Sequence, residues 1–247
     1  MQWREDDGVR WLEAELPRAR AAFSARTGGQ SGGPFESLNL GVLTGDDEAT
    51  VRRNRSRLTA ALGRDPATIV IARQVHGAEI VEHEGPQRPS PFAEPGSPVP
   101  EADGHVIRDG NAAALVFVAD CLPVALSGPG GVALLHCGWR GLAGGIVAKG
   151  AAAIEASHAA IGPGVGPCCY EVGEEVLAAF SDLGEGIADG RMLDLPEVAR
   201  RLLAEAEVNE VESAGLCTSC EPALFFSHRR DHGETGRQAG IAWMEGG

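Results

Sequence analysis

The sequence predicts an α/β or α+β fold, with mixed β-sheets flanked by helices in a single compact domain over 1–247. Three observations lead there. Short apolar segments with strand-like composition alternate irregularly with helical ones, which argues against a strictly repeated βαβ pattern. With 247 residues, 43% of them hydrophobic and 23% charged, the chain supports a sizeable core. The only compositional break, 84–100, carries six prolines (Pro86, Pro89, Pro91, Pro95, Pro98, Pro100). Proline lacks an amide proton and resists helix and central strand alike, so this segment reads as an extended Pro-rich surface loop within one domain.

The elements follow in chain order. The stretch 23–41 is rich in turns and hydrogen-bonding side chains, and 47–62 has helical composition. Segments 68–71 and 74–81 read as two short strands around a polar turn. The most apolar run, 112–126, reads as one buried strand ending near Pro123, and 131–136 as another, stopped by Gly138. Helical composition returns at 144–156, 173–180 and 195–207, the last with Asp194 as a cap.

Charge and cysteine content exclude several functions. Lys+Arg 21 against Asp+Glu 35 gives a formal charge of -14, a field that repels polyphosphate backbones and anionic lipid. Neither nucleic acid nor membrane is expected as a partner. Lys149 is the sole lysine, which disfavours Schiff-base chemistry. The N-terminal residues Met1-Gln2-Trp3-Arg4-Glu5-Asp6-Asp7 do not resemble a signal peptide, and no apolar run approaches the roughly 20 residues that cross a bilayer. A cytoplasmic location is therefore expected, with the six cysteines reduced and open to catalysis or metal ligation.

Three positions carry the strongest chemical signal. Asp120 and Cys121 interrupt an apolar run, where an ionised carboxylate is costly unless hydrogen-bonded. Adjacent strand residues face opposite ways, so if Cys121 faces a cleft, Asp120 ties down backbone. His136 ends a buried strand and leads into Cys137-Gly138-Trp139-Arg140-Gly141, a glycine-bracketed turn suited to a ligand or acid/base group. Cys137, on the opposite face, reads as core filler. His76 sits at a similar junction in Arg73-Gln74-Val75-His76-Gly77. Two imidazoles and one thiolate suit zinc with an open fourth position, suit copper, and equally suit a metal-free cysteine nucleophile with a histidine base. Spacing leaves these open.

Other features carry less. Cys217-Thr218-Ser219-Cys220 has metal or redox spacing but lacks a second pair, so it reads as structural. Cys168-Cys169 follows a glycine-proline loop, 161–167, that can bring backbone amides to an anion. No phosphate-binding G-x-x-x-x-G-K-[ST] loop occurs. His83, His105, His158, His228 and His232 have no evident partner. Arg52, Arg53, Arg55 and Arg57 form a local positive patch, usually a solvated helix face, although one arginine turned inward can grip a phosphate.

Taken together, Phe23-Ser24-x-Arg26-x-Gly28-Gly29, Ser37-Leu38-Asn39-Leu40-Gly41, Asn54-Arg55, Gln74-Val75-His76-Gly77, Ala119-Asp120-Cys121-x-Pro123, His136-x-Gly138-Trp139-Arg140-Gly141 and Tyr170-Glu171-Val172-Gly173 resemble the laccase-domain family of polyphenol oxidoreductases. The resemblance continues through Leu193-Asp194-Leu195, Cys217-Thr218 and Gly236-Arg237 and so spans essentially the whole chain. It implies a zinc or copper site on His76, Cys121 and His136, which are also the catalytic residues, with Asn39, Arg55 and Arg140 binding substrate. The implied activity is that of a purine nucleoside phosphorylase, cleaving adenosine, inosine and S-methyl-5'-thioadenosine with phosphate, and of an adenosine deaminase. Purine nucleoside and phosphate are then the partners, and the chain a monomer or weak homo-oligomer. Some members of the family are named peptidoglycan editing factors, with a proposed amidase activity. Cys137 departs from the small alanine more usual in the family after the histidine.

The oxidase label fails a count, because multicopper oxidation needs a blue-copper site and a multinuclear cluster. The seven histidines here include no H-x-H pair. The zinc deaminase signature of H-x-E with P-C-x-x-C is absent as well. In the expected mechanism, metal at His76, Cys121 and His136 polarises water or substrate while Arg55 and Arg140 hold phosphate. Glu79 is a candidate acid for the leaving purine, although a solvated strand position is the simpler reading. The alternatives are a metal-free Cys121/His136 amidase editing a peptidoglycan precursor, a copper-dependent polyphenol oxidase, and a metal-buffering or redox-binding protein without turnover.

Overall fold

Strands apolar on both faces require cover on both sides. A computed structural model, describing residues 1–245 of the expected 1–247 unit, provides it in four layers. In chain order the strands are β1 (Gln2–Asp6), β2 (Val9–Leu16), β3 (Ala19–Ser24), β4 (Ile69–Val70), β5 (Ile80–His83), β6 (Gly104–Ile107) and β7 (Ala113–Val118). They continue with β8 (Leu122–Gly128), β9 (Gly131–Cys137), β10 (His158–Ile161), β11 (Ala188–Asp189), β12 (Met192–Leu193), β13 (Glu210–Ser213) and β14 (Gln238–Met244). The helices are α1 (Glu48–Ala61), α2 (Trp139–Ala143), α3 (Ile146–Ile154), α4 (Glu174–Ala178) and α5 (Leu195–Glu205).

One six-stranded sheet runs β1-β2-β3-β14-β7-β4, a second runs β13-β10-β8-β9-β6-β5, and β11 pairs with β12. Most pairs are antiparallel, with parallel pairing at β4/β7, β5/β6 and β10/β13. Ala14, Ala21, Phe23, Val116 and Ala242 of the first sheet meet Ala125, Val132, Leu134 and Ala160 of the second. Side chains one residue out of step, Val124, Leu126, Ala133, Leu135 and Cys137, pack instead against Leu142, Ile146, Val147, Ala151 and Leu203 of the helices. The outer face of the first sheet, with Trp11, Leu115 and Ile241, is covered by Leu38, Leu40, Leu58 of α1 and Phe92 of the Pro-rich loop.

The mixed α/β class is as expected, and several boundaries move. The run 112–126 is two strands in different sheets, because the chain turns at 119–121, where Asp120 adopts a left-handed backbone (φ 93). Within 74–81 only Ile80 onward is strand, and His76 (φ 59) lies in the turn. The helix expected at 144–156 is interrupted at its start, with Gly145 (φ 81) capping α3 and a separate short α2 before it. The expected helices near 47–62 and 195–207 form, capped by Asp47 on the Thr50 N–H and by Asp194 on the Glu197 N–H. Among the described residues no helix is long and apolar enough to cross a membrane.

Candidate active site

The turn from β7 to β8 passes from one sheet to the other, and Cys121 stands in it. Asp120 points the opposite way: its Oδ1 accepts from Thr218 Oγ1 at 2.6 Å and its Oδ2 from the Arg229 N–H at 2.6 Å. Both oxygens of this buried carboxylate are therefore engaged on backbone-tethering partners, as the sequence suggested. His136, near the end of β9, makes a 2.8 Å contact from Nδ1 to Asp103 Oδ1. That bond orients the ring and leaves Nε2 for a ligand.

Asp103 does more than hold one histidine. Its carboxylate also accepts the backbone N–H groups of Val75 (3.1 Å), His76 (3.0 Å) and Gly77 (2.7 Å). Three consecutive donors on one carboxylate fix the turn that presents His76. One fully buried aspartate thus sets both imidazoles. The rings of His76 and His136 stand edge to face, centroids 4.9 Å apart at 71°. One ligand atom from each of His76, Cys121 and His136 falls within 4.8 Å of the others. Gly138 makes room for this, because a Cβ there would lie 3.0 Å from Cys121 Sγ and 3.3 Å from the His76 ring.

The electrostatics favour a charged donor set. Burial opposes ionisation of Cys121, but His136 and His76 outweigh it and bring the thiol down to about 6. Burial likewise disfavours a charged His136, yet the Cys121 thiolate and the Asp103 carboxylate push it up to about 9. Burial raises Asp103, and the His136 bond with the Gly77 and Val75 amides overcomes this and lowers it. Two nitrogen donors and one thiolate, convergent and with an oriented histidine, are a ligand chemistry that fits zinc with an open fourth position. Cys137, fully buried among helix-facing apolar residues, has its thiol pushed up by burial and stays neutral core, as expected.

The other residues named for substrate sit differently from one another. Arg140 is exposed, its guanidinium 4.5 Å from the Trp139 ring. Arg55 is buried, stacked near Phe92 and Phe117, with Nε on the Leu40 carbonyl (2.9 Å) and Nη1 on the Phe92 carbonyl (2.8 Å). It thereby fastens α1 to the 38–41 segment and the Pro-rich loop. Asn39, also fully buried, bonds Thr44, Asp46 and the Gly41 and Arg237 amides and so ties the loops around it together. A cavity of about 370 Å³ beside α1 is lined by Arg52, Arg53, Arg55 and Arg57 and by none of the three convergent donors. Glu79 is exposed and paired with Lys149 at 2.9 Å. His83 and His105 do have a partner, each other, at 3.0 Å.

Asp103 was not among the candidates read from the sequence, because the groups it binds, at 75–77 and 136, are remote along the chain. Nor were Tyr170 and Arg237, which lie within reach of the Cys121 charge. Burial, then that charge, pushes the Tyr170 hydroxyl up to about 12, while burial lowers Arg237 against the pull of Cys121 and Asp120. A further correction concerns Cys217 and Cys220. The missing second pair is Cys168-Cys169, and the four thiols meet within 4.8 Å of one another.

Comparison with known proteins follows this geometry. Residues 20–245 match the family model described as multi-copper polyphenol oxidoreductase laccase. The chain is 37% identical to purine nucleoside phosphorylase YlmD of Geobacillus stearothermophilus, covering 92% of each. It is 34% identical to purine nucleoside phosphorylase YfiH of Escherichia coli, over 98% of this chain and 97% of that one. The crystal structure of YlmD from G. stearothermophilus superposes with a TM-score of 0.89 over 98% of both chains at 34% identity. That of Bacillus licheniformis hypothetical protein YfiH gives 0.88 at 32% identity, over 98% of this chain and 99% of the other.

Proposed function

The chain belongs to the multi-copper polyphenol oxidoreductase laccase family, and from that membership we propose that it is a metal-dependent purine nucleoside phosphorylase acting as one domain in the cytoplasm. The substrates are adenosine, inosine and S-methyl-5'-thioadenosine with phosphate, and adenosine is also deaminated. The observation that carries the reading is the convergence of His76 and Cys121 from two separate turns and of His136 from the end of β9 onto one point, in a chain whose relatives are named for this activity. Zinc is the proposed ion, with copper as the other metal the donors accept. Bound there, it would supply a Lewis acid beside the nucleoside.

The chain's own residues do the rest. Asp103 holds both imidazoles in register, orienting His136 through its ring and His76 through its backbone. Arg140, with Arg55 as the second cation, is the residue proposed to hold phosphate against the ribose. As the glycosidic bond breaks and phosphate oxygen bonds the ribose carbon, negative charge moves onto the purine. Tyr170, whose hydroxyl remains protonated at neutral pH, is the donor proposed for it. The test is incubation of the purified protein with inosine, with and without phosphate, watching for hypoxanthine and ribose 1-phosphate. Product only with phosphate supports the reading; none from metal-loaded protein overturns it.

One observation favours a second reading. A thiol near 6 beside a histidine near 9 is also the pair a cysteine hydrolase uses. On that reading Cys121 and His136 act on an amide of a cell-wall precursor without metal. Near-stoichiometric zinc that disappears with Cys121→Ala would exclude it. A copper polyphenol oxidase has less support, since the described histidines outside the site, His83 and His105 apart, do not cluster.

A further inference from the structure

The four remaining cysteines with solvent access lie together at the opposite end of the Asp120 linkage. Cys168 and Cys169 occupy the turn after the glycine-proline loop, and Cys217 and Cys220 the turn after β13. Cys220 Sγ is 3.3 Å from Cys168 Sγ and 3.4 Å from Cys169 Sγ. It is thus nearly equidistant from two thiols and selects neither as a single covalent partner. A tetrahedron with Zn–S bonds of about 2.3 Å has sulfur–sulfur edges of about 3.8 Å. All four sulfurs already lie within 4.8 Å of each other, so small side-chain rotations reach that geometry.

The backbone holds this arrangement ready. Gly164 bridges Cys217 in parallel, with the Thr218 N–H donating to the Gly164 carbonyl at 2.9 Å. The Cys220 and Glu221 N–H groups both return to the Cys217 carbonyl at 3.2 Å, the tight turn a Cys-x-x-Cys ligand pair needs. The Gly166 N–H donates to Cys217 Sγ at 3.3 Å, a bond that favours sulfur as thiolate. A Cβ at Gly166 would sit tightly on Cys217 Cβ, at 3.3 Å, and in ordinary contact with Cys168 Sγ, at 3.5 Å, so glycine eases the approach to Cys217.

We propose that Cys168, Cys169, Cys217 and Cys220 form a second metal site, a closed tetrathiolate that takes zinc or a similarly thiophilic divalent ion and is distinct from the His76/Cys121/His136 site. Binding exchanges thiol protons for the ion and releases them to solvent. With four protein ligands and no open position, the role is structural. The ion pins the loop that continues into Tyr170 to the loop whose Thr218 hydroxyl holds Asp120, next to Cys121.

The test counts metal on the full chain purified under reducing, oxygen-free conditions. Cys168→Ser/Cys220→Ser should carry one equivalent of zinc fewer than the parent, and Cys121→Ser should lose a different one, so that the losses add. Titration of the Cys121→Ser chain with Co²⁺ should give the intense visible absorption of a tetrahedral tetrathiolate, which also serves if the double variant fails to fold. Unchanged zinc in a folded double variant, absence of that absorption, or a non-reduced peptide joining Cys220 to Cys168 or Cys169 in the anaerobic protein would each overturn the proposal.

Discussion

The two thiol-bearing clusters of this molecule solve the same problem, bringing sulfur donors together, by opposite means. Around Cys121 the neighbours are ionisable: two histidines and the Asp103 carboxylate, with burial working against every charge. Around Cys217 the neighbours are backbone: an amide on the sulfur, a parallel bridge and a tight turn, with Cys168 and Cys220 exposed. Three protein donors leave a fourth position open, whereas four sulfurs can close the shell. The contrast teaches that the number of donors, and what braces them, sets what each cluster can do once an ion is bound.

The largest effect should come from Cys121→Ala, which ought to lower phosphorolysis by about 10³-fold or more, the scale of losing a main electrostatic contributor. Its zinc at the four-cysteine cluster should be untouched. Equal loss of both metals would merge the two regions into one. Asp103→Asn tests the ionisable bracing: metal affinity at the catalytic cluster should drop by roughly 10–100-fold, measured by competition with a chelator.

Acidity sharpens the comparison further. In metal-stripped protein, Cys121 should be alkylated by iodoacetamide at a rate that climbs through pH about 6 and then levels, since its thiolate predominates above that point. His136, with its pKa raised, contributes stability that is complete below about 6.5 and is lost as pH rises through about 9. The thiolate–imidazolium pair thus occupies the window between about 6 and about 9. Asp103→Asn should narrow it from the alkaline side, read by the pH dependence of thermal unfolding. A Cys121 alkylation midpoint near 9 would remove the charged pair altogether.

Smaller effects should follow from the link between the regions. Thr218→Val removes the hydroxyl on Asp120 and leaves that buried carboxylate one partner short, a loss of about 1.5–3 kcal/mol in denaturant unfolding. Smallest of all, Asp194→Ala uncaps α5, which belongs to neither cluster, and should cost about 1 kcal/mol with unchanged metal content.

What the sequence disclosed depended on how local the physics was. Cys121 and His136 stood out because polar groups interrupt apolar strands, and Asp194 and the α5 start follow from capping. The N-terminal strands were hidden: Ala14, Ala19, Ala21 and Ala22 are small because two sheets pack closely there, and alanine carries little strand preference. Asp103 was silent because its partners, residues 75–77 and 136, are remote along the chain. Cys217-x-x-Cys220 looked incomplete for the same reason, its complement lying about fifty residues upstream. The carbonyl partners of Arg55, on Leu40 and Phe92, were out of view for the same reason.

The turn at 119–121 places an anchor and a nucleophilic sulfur on consecutive residues aimed in opposite directions. Inserting or deleting an amino acid there would shift the sulfur relative to a carboxylate already anchored on Thr218 and Arg229, and so change its distance to the two imidazoles. Length at this turn is therefore constrained by two sets of contacts at once.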